Sequence, residues 1–145
     1  MKIAETCLYA NNLEEIESFY TEVLGLEIVM KEENRHIFFK CGDSMLLIFN
    51  PEHTRNVQTE MDGNPIPLHG AEGPGHLAFG VSVDEFEFLK KDLQKKSVPI
   101  ESEVDWPNRS RSFYFRDPAN NSLEIITNDM GSSLNHSSIR SCTSI

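Results

Sequence analysis

Positive charge is scarce in this sequence of 145 residues, which has 13 lysines and arginines against 23 aspartates and glutamates. The formal net charge of −10 repels phosphate backbones, because nucleic-acid binding draws on clustered Lys and Arg. Long apolar runs are missing too, since stretches such as MLLIF fall far short of a membrane span. The sequence therefore predicts neither a nucleic-acid nor a membrane partner.

Cysteines and targeting signals are equally sparse. The three cysteines, Cys7, Cys41 and Cys142, are odd in number and widely spaced, which fits neither a disulfide framework nor a thiolate zinc site. We interpret them as reduced thiols. The beginning MKIAETCLY lacks the basic stretch and apolar core of a secretory signal, so we expect a cytoplasmic protein.

The length of the sequence suits one domain. The first part of the sequence predicts one strand, one helix and three further strands. Residues 3–10 alternate like a strand, and NNLEEIESFYTEVLGL has helical periodicity, with Asn12 as N-cap, Glu15 completing a capping box and Gly25 at the C′ position. The next three runs favour strands: LEIVMKE, RHIFFKCG and SMLLIFN, the last two joined by a turn at Gly42 and Asp43.

The same order recurs after residues 51–75, which are rich in Pro, Gly and Asn and are interpreted as a linker. The second set comprises the strand HLAFGVS, a helix over 84–96, and the strands PIESEVD, RSFYFRD and SLEIITN. Such a repeat indicates internal duplication and an α+β fold of two βαβββ modules. We predict one domain over 1–130, with module one at 3–50, module two at 76–128 and a flexible Ser-rich tail at 131–145.

Three side chains at corresponding strands are candidates for chemistry. Alternation in SLEIITN places Glu124 between apolar neighbours, where a carboxylate is costly without a partner. His76 opens its strand, with the small residues Ala78 and Gly80 leaving space on the same face. Glu5 opens the matching strand of module one and shares its face with Cys7 and Tyr9.

Each of these residues also has a plain interpretation, as a packed or loop histidine and as solvated glutamates. Together, two carboxylates and one imidazole can hold a divalent cation, which offsets the desolvation of both carboxylates. An oxygen-rich set suits Mn²⁺, Fe²⁺ or Mg²⁺, with Zn²⁺, Ni²⁺ and Co²⁺ as alternatives.

The runs ETCLYANNLEEIESFYTEVLGLEIV, GHLAFGV and SFYFRDPANNSLEI resemble the vicinal oxygen chelate superfamily, which includes glyoxalase I, bleomycin-resistance proteins, fosfomycin-resistance enzymes and extradiol dioxygenases. In that family two βαβββ modules pair into a cupped mixed sheet, often across a dimer. The first and last strands of the modules supply the metal ligands. The resemblance implies that Glu5, His76 and Glu124 bind a divalent metal, that Glu5 and Glu124 act catalytically, and that the protein is a homodimer.

Some positions depart from the family pattern. The first-strand ligand, commonly His or Gln, is Glu5 here, and the further glutamate of glyoxalase I corresponds to Leu46. This incomplete set argues against lactoylglutathione chemistry. The RSFYF strand is similar to that of the fosfomycin enzymes, which implies that Ser112 and Tyr114 contact substrate, with Tyr9 as a further contact on the Glu5 face.

Two functions follow. The first is a metal-dependent enzyme that chelates a small oxygen-rich substrate and performs isomerase, lyase or epoxide-opening chemistry. The alternative is a metal-free protein that sequesters a ligand, as bleomycin-resistance proteins do.

The remaining candidate residues have two interpretations each: Trp106 lines the site or packs, and His69 forms a lid or is a solvated loop residue. Arg109, Arg111 and Arg116 hold an anionic substrate or face solvent, whereas His36 and His53 belong to no motif.

Overall fold

The computed structural model describes residues 1–128, so the predicted tail at 131–145 lies outside the described residues. The chain divides into two compact units. The first comprises residues 1–77 and 116–122, and the second comprises residues 78–115 and 123–128. Among residues 1–128, no helix is long and apolar enough to cross a membrane.

The first unit contains a four-stranded sheet in the order β1-β4-β3-β2. Strand β1 runs parallel to β4, whereas β3 is antiparallel to both β4 and β2. The strands are β1 (Glu5–Tyr9), β2 (Glu27–Glu32), β3 (His36–Cys41) and β4 (Ser44–Phe49).

Helix α1 (Leu13–Ser18) follows β1 and begins where the sequence predicts, because the Asn12 side chain accepts a hydrogen bond from the backbone N–H of Glu15. The predicted continuous helix is wrong in its second half, where Phe19–Val23 form a π-helical turn. This turn keeps Ile16 and Tyr20 buried. Gly25 ends the segment with a φ of +70°, a conformation that favours glycine.

The segment between the modules is more ordered than a linker. It contains helix α2 (Pro51–Asn56) and a hairpin of β5 (Thr59–Met61) and β6 (Asn64–Ile66). Asn50 caps α2 by accepting a hydrogen bond from the backbone N–H of Glu52, and proline occupies the first helical position. A helix of six residues is too short to leave a periodic pattern, so sequence periodicity did not reveal it.

The second four-stranded sheet has the order β7-β10-β9-β8. Its elements are β7 (His76–Val81), α3 (Val83–Lys95), β8 (Ser102–Asp105), β9 (Arg111–Arg116) and β10 (Ser122–Thr127). Ser82 and Glu85 form a complete capping box at the start of α3, and Phe86 and Leu93 on that helix are buried. Phe113 and Phe115 of β9 are fully buried as well.

The two sheets repeat one topology. In both, the first strand pairs with the fourth, the fourth with the third and the third with the second. The backbone N–H of Ser122 donates to the carbonyl of Gly75 and that of Asn128 to the carbonyl of Val81, so β7 and β10 are parallel, as are β1 and β4. The predicted α+β fold of two βαβββ modules is confirmed.

Candidate active site

Glu124 is a buried carboxylate on one face of β10. Its neighbours Leu123 and Ile125 point to the opposite face and are 0% and 2% exposed, whereas Glu124 itself is 6% exposed. Burial of an ionised carboxylate is unfavourable unless hydrogen bonds or a cation compensate it.

Hydroxyl groups from β9 provide part of that compensation. The Ser112 hydroxyl, 1% exposed, donates a hydrogen bond to the Glu124 carboxylate. Tyr114, two residues further on, also hydrogen-bonds to this carboxylate, and its pKa is raised by burial and by the adjacent negative charge. The structure thus brings together three of the predicted site residues on one face of the second sheet.

Trp106 reaches the same cluster from the turn that follows β8. Its indole Nε1–H donates to Ser112 Oγ at 2.8 Å. The sequence left open whether Trp106 lines the site or packs, and the structure places it in hydrogen-bond contact with a site residue. The sequence signal for this contact was a lone tryptophan in the turn after β8. Strand β8 pairs with β9 and places Val104 opposite Ser112, so this turn lies close to Ser112.

His76 opens β7, the strand beside β10, and is exposed. The space that the sequence predicts next to Gly80 is partly filled, because the Asn128 side chain lies 3.3 Å from the position a Cβ of Gly80 would occupy. Ala78 remains exposed.

Glu5 opens β1 and is exposed on the face that also carries Cys7 and Tyr9. In the parallel register Glu5 lies opposite Met45 and Cys7 opposite Leu47, so these partners share the Glu5 face. Leu46 lies between them, is 1% exposed and points to the other face. The assignment of Leu46 to the ligand face is therefore wrong by one position, but neither Met45 nor Leu47 is a carboxylate either.

Tyr9, at the end of β1, shares a hydrogen bond with His69. Its hydroxyl lies 2.9 Å from His69 Nδ1, and the His69 ring packs edge-on against Phe49 at 4.6 Å. Burial, followed by the contribution of Cys7, raises the pKa of Tyr9 to about 12. His69 is thus a partner of Tyr9 in the first unit, which corrects its interpretation as a solvated loop histidine.

Tyr9 also lines a cavity of about 530 Å³ in the first unit. Arg55 crosses one wall of the cavity, with hydrogen-bonded ion pairs of 2.6 Å to both Glu52 and Glu72. The volume lies in the range of small-molecule sites. Tyr9 lies about 13 Å further along β1 than Glu5, given a rise of roughly 3.3 Å per residue.

His36 on β3 is a buried group that the sequence analysis missed. It is 7% exposed, stacks on Phe38 at 4.2 Å, and no described residue hydrogen-bonds either ring nitrogen. The nearest carboxylate oxygen, of Glu32, is 3.8 Å from Nδ1. Burial lowers the pKa of His36, with smaller lowering effects of Arg35 and His53 opposed by Glu32.

Two of the three candidate arginines have partners in the structure. Arg111 pairs with Glu87 of α3 at 2.6 Å and lies 4.8 Å above the Phe86 ring, so it faces the helix. Arg116 donates to the carbonyl of Asn120 at 3.2 Å. Arg111 is thus on the face of β9 opposite to Ser112 and Tyr114.

Within residues 1–128 of a single chain, no three His, Cys, Asp or Glu side chains come close enough together to hold a metal ion. The assignment of Glu5, His76 and Glu124 as metal ligands stays a prediction.

Two mixed sheets of identical topology, each with its helix between the first and second strands, define a fold built from paired βαβββ modules. The profile of the Glyoxalase/Bleomycin resistance protein/Dioxygenase superfamily matches residues 2–125. The chain belongs to this superfamily.

Solved structures agree with this assignment. A lactoylglutathione lyase from Agrobacterium tumefaciens is 42% identical, with 88% of this chain and 93% of that chain covered and a TM-score of 0.80. A glyoxalase/bleomycin resistance protein/dioxygenase from Nocardioides is 22% identical over 91% and 86% of the two chains, with a TM-score of 0.68. The fosfomycin resistance protein FosX from Mesorhizobium loti is 19% identical over 89% and 93%, with a TM-score of 0.59. The last two show likeness of fold alone.

Proposed function

We propose that this protein is a divalent-metal-dependent enzyme of the glyoxalase superfamily that acts on a small oxygen-rich substrate. The observation that carries the proposal is the buried carboxylate of Glu124, surrounded by the hydroxyl groups of Ser112 and Tyr114. A carboxylate fixed in this way is suited to bind a hard cation and to accept a proton.

The chemistry of the donors fits a divalent metal. Glu5 and Glu124 offer carboxylate oxygens and His76 an imidazole nitrogen, and both Glu5 and His76 are exposed at strand starts. We include a homodimer in the proposal, because proteins of this superfamily often pair their modules across two copies.

When bound, the metal would act as a Lewis acid that polarises two oxygens of the substrate. The protein's own groups have separate tasks. Glu124 accepts a proton, and the hydroxyl groups of Ser112 and Tyr114 fix the orientation of its carboxylate. Tyr9 contributes an aromatic wall and a hydroxyl in the first unit.

The reaction to test first follows from the 42% identical relative named as a lactoylglutathione lyase. We propose lyase chemistry on lactoylglutathione as one candidate reaction. The apolar residues Met45 and Leu47 beside Glu5 favour a smaller ligand set than that of glyoxalase I, and with it a different small substrate.

A metal-free binding protein is the second candidate. The observation that favours it is that Ser112 and Tyr114 already hydrogen-bond the Glu124 carboxylate, so the burial of Glu124 is partly compensated without a cation. In that case the cavity beside Tyr9 is the place to look for a ligand.

Metal content tests the proposal. Purified protein is dialysed, offered Mn²⁺, Fe²⁺, Ni²⁺ or Zn²⁺, and measured by plasma mass spectrometry, with sedimentation velocity for oligomeric state. We expect about one ion per chain in a dimer, and loss of the ion in Glu124→Gln. The matched control Glu103→Gln, on the same sheet but paired with Lys90 of α3, should bind metal as the wild type does. Absence of metal from the wild type would favour the binding protein.

A further inference from the structure

A three-residue hydrogen-bond chain leads from the turn after β8 to the buried carboxylate. The indole Nε1–H of Trp106 donates to Ser112 Oγ at 2.8 Å, and Ser112 Oγ is bonded in turn to Glu124 Oε1. An indole nitrogen only donates, and a serine hydroxyl carries one proton. The Ser112 oxygen accordingly accepts the indole N–H, and its hydroxyl donates to Glu124.

We infer that Trp106 is a positioning residue for Glu124 and acts through Ser112. The inference deepens the proposed function, because it concerns the residue on which that function rests. By donating to Ser112 Oγ, the indole holds the hydroxyl in the rotamer that serves the carboxylate and polarises its O–H bond. Trp106 itself does not touch the carboxylate.

The turn that carries Trp106 is closed by its own backbone. The N–H of Trp106 donates to the carbonyl of Ser110 at 2.8 Å, and the N–H of Arg109 donates to the carbonyl of Trp106 at 2.9 Å. Arg109 adopts a φ of +72°, so the turn is narrow. Both strands joined by this turn are in register, with Val104 opposite Ser112. Two hydrogen bonds thus hold the backbone of Trp106 within a short hairpin turn.

Groups that orient a metal-binding carboxylate typically change metal affinity or activity by about 10- to 100-fold when removed. We therefore expect Trp106→Phe, which keeps an aromatic ring but removes the donor, to weaken Mn²⁺ or Zn²⁺ binding by about 10- to 100-fold. The Glu103→Gln variant, whose carboxylate pairs with Lys90, should bind these ions as the wild type does.

The chain contains one tryptophan, which supplies a second readout that needs no metal. The protein labelled with ¹⁵N gives a single indole cross-peak. That peak should move and its proton should exchange faster in Ser112→Ala, and it should move in Glu124→Gln but not in Glu103→Gln. A merely structural tryptophan would not report the identity of residue 124.

A third variant separates the hydrogen bond from the shape of the ring. Biosynthetic replacement of the only tryptophan by benzothienylalanine exchanges the N–H for sulfur at nearly constant volume, and circular dichroism checks that the protein folds. We expect it to reproduce the metal-binding loss of Trp106→Phe.

The outcomes distinguish the two claims. If the wild type binds the metal and the benzothienylalanine protein binds it with equal affinity, the inference is overturned and the proposed function stands. If the wild type binds none of the ions, the proposed function fails and the cross-peak decides the inference. If the indole cross-peak has the same position in Glu124→Gln as in the wild type, the inference is overturned. If the cross-peak moves, Trp106 is upheld as the residue that positions Glu124.

Discussion

The hydroxyl of Tyr20 donates a hydrogen bond of 3.0 Å to the carboxylate of Asp117, a residue 97 positions later in the chain. Asp117 is 4% exposed, and its other oxygen accepts the backbone N–H groups of Ala119 and Asn121 at 2.9 and 2.8 Å. Burial and the charge of Asp117 raise the pKa of Tyr20. This pair joins the π-helical turn to the DPANN turn inside the first unit.

Replacing Asp117 should therefore be costly. Asp117→Asn puts an amide N–H₂ where backbone and side-chain donors converge, and we expect a loss of about 3 kcal/mol in the free energy of unfolding. Tyr20→Phe removes one hydrogen bond and should cost about 1 kcal/mol. Urea unfolding measures both. A loss in Asp117→Asn no larger than that in Tyr20→Phe would show that the backbone bonds to Asp117 do not stabilise the fold.

Gly75, just before His76, has no room for a side chain. A Cβ there would lie 2.7 Å from Leu8 Cδ2 and 3.2 Å from Asn121 Oδ1, and Leu8 is buried. We expect Gly75→Ala to destabilise the protein by about 1–3 kcal/mol through overpacking, measured by thermal or urea unfolding. Gly80→Ala is the control, because its nearest neighbour is the exposed side chain of Asn128, which can move. Equal effects at the two glycines would contradict the argument.

His36 should make stability depend on pH. Its pKa in the folded protein is lowered from 6.5, so below about pH 6.5 the unfolded chain takes up a proton that the folded chain does not. The contribution of neutral His36 to the free energy of unfolding is complete above about pH 6.5, and it decreases as the pH falls towards the pKa of the folded protein. His36→Phe keeps the stack on Phe38 and removes the titration, so it should lose less stability than the wild type between pH 7 and pH 5.

Chemical denaturation at the two pH values checks this expectation. The control Phe38→Leu disturbs the same stack but removes no group that titrates in this range. Its loss of unfolding free energy relative to the wild type should therefore be equal at pH 7 and pH 5. If wild type and His36→Phe show parallel pH profiles, the imidazole is not the source of the dependence.

The capping box of α3 can be tested apart from the site. Ser82 accepts a hydrogen bond from the backbone N–H of Glu85, and the Glu85 carboxylate accepts from Ser82 in return, which lowers the pKa of Glu85. Ser82→Ala should cost about 1 kcal/mol in the free energy of unfolding. Ser82→Asp, which retains a capping oxygen, should recover most of this loss. Failure of Asp to do better than Ala would rule out capping as the cause.

Local signals predicted the elements well because their causes are local. Asn12 and Gly25 act on backbone groups within a few residues, and they mark helix boundaries that the structure confirms. Helix α2 and the π-helical turn were missed, since one turn leaves no periodicity and a π-turn preserves the burial of Ile16 and Tyr20 that a regular helix would give.

Strand alternation was enough to predict which side chains of β9 lie together, whereas their roles toward substrate and metal stay predictions. Alternation places Ser112 and Tyr114 on the same face of β9, and the structure joins both to Glu124. The error at Leu46 arose because a resemblance read along the chain carries no register, and a shift of one residue turns a side chain to the other face.

The sequence by itself determined the order of strands and helices and the two βαβββ modules, because capping, periodicity and turn chemistry are encoded within short windows, and the resemblance of its motifs to a known family indicated the superfamily. Only the tertiary structure decided which distant groups meet: Trp106 with Ser112, Tyr9 with His69, and Tyr20 with Asp117. It also buried His36 away from any hydrogen-bond partner in the described chain. The reason is that strand register and the packing of loops set these contacts, and both depend on the whole fold.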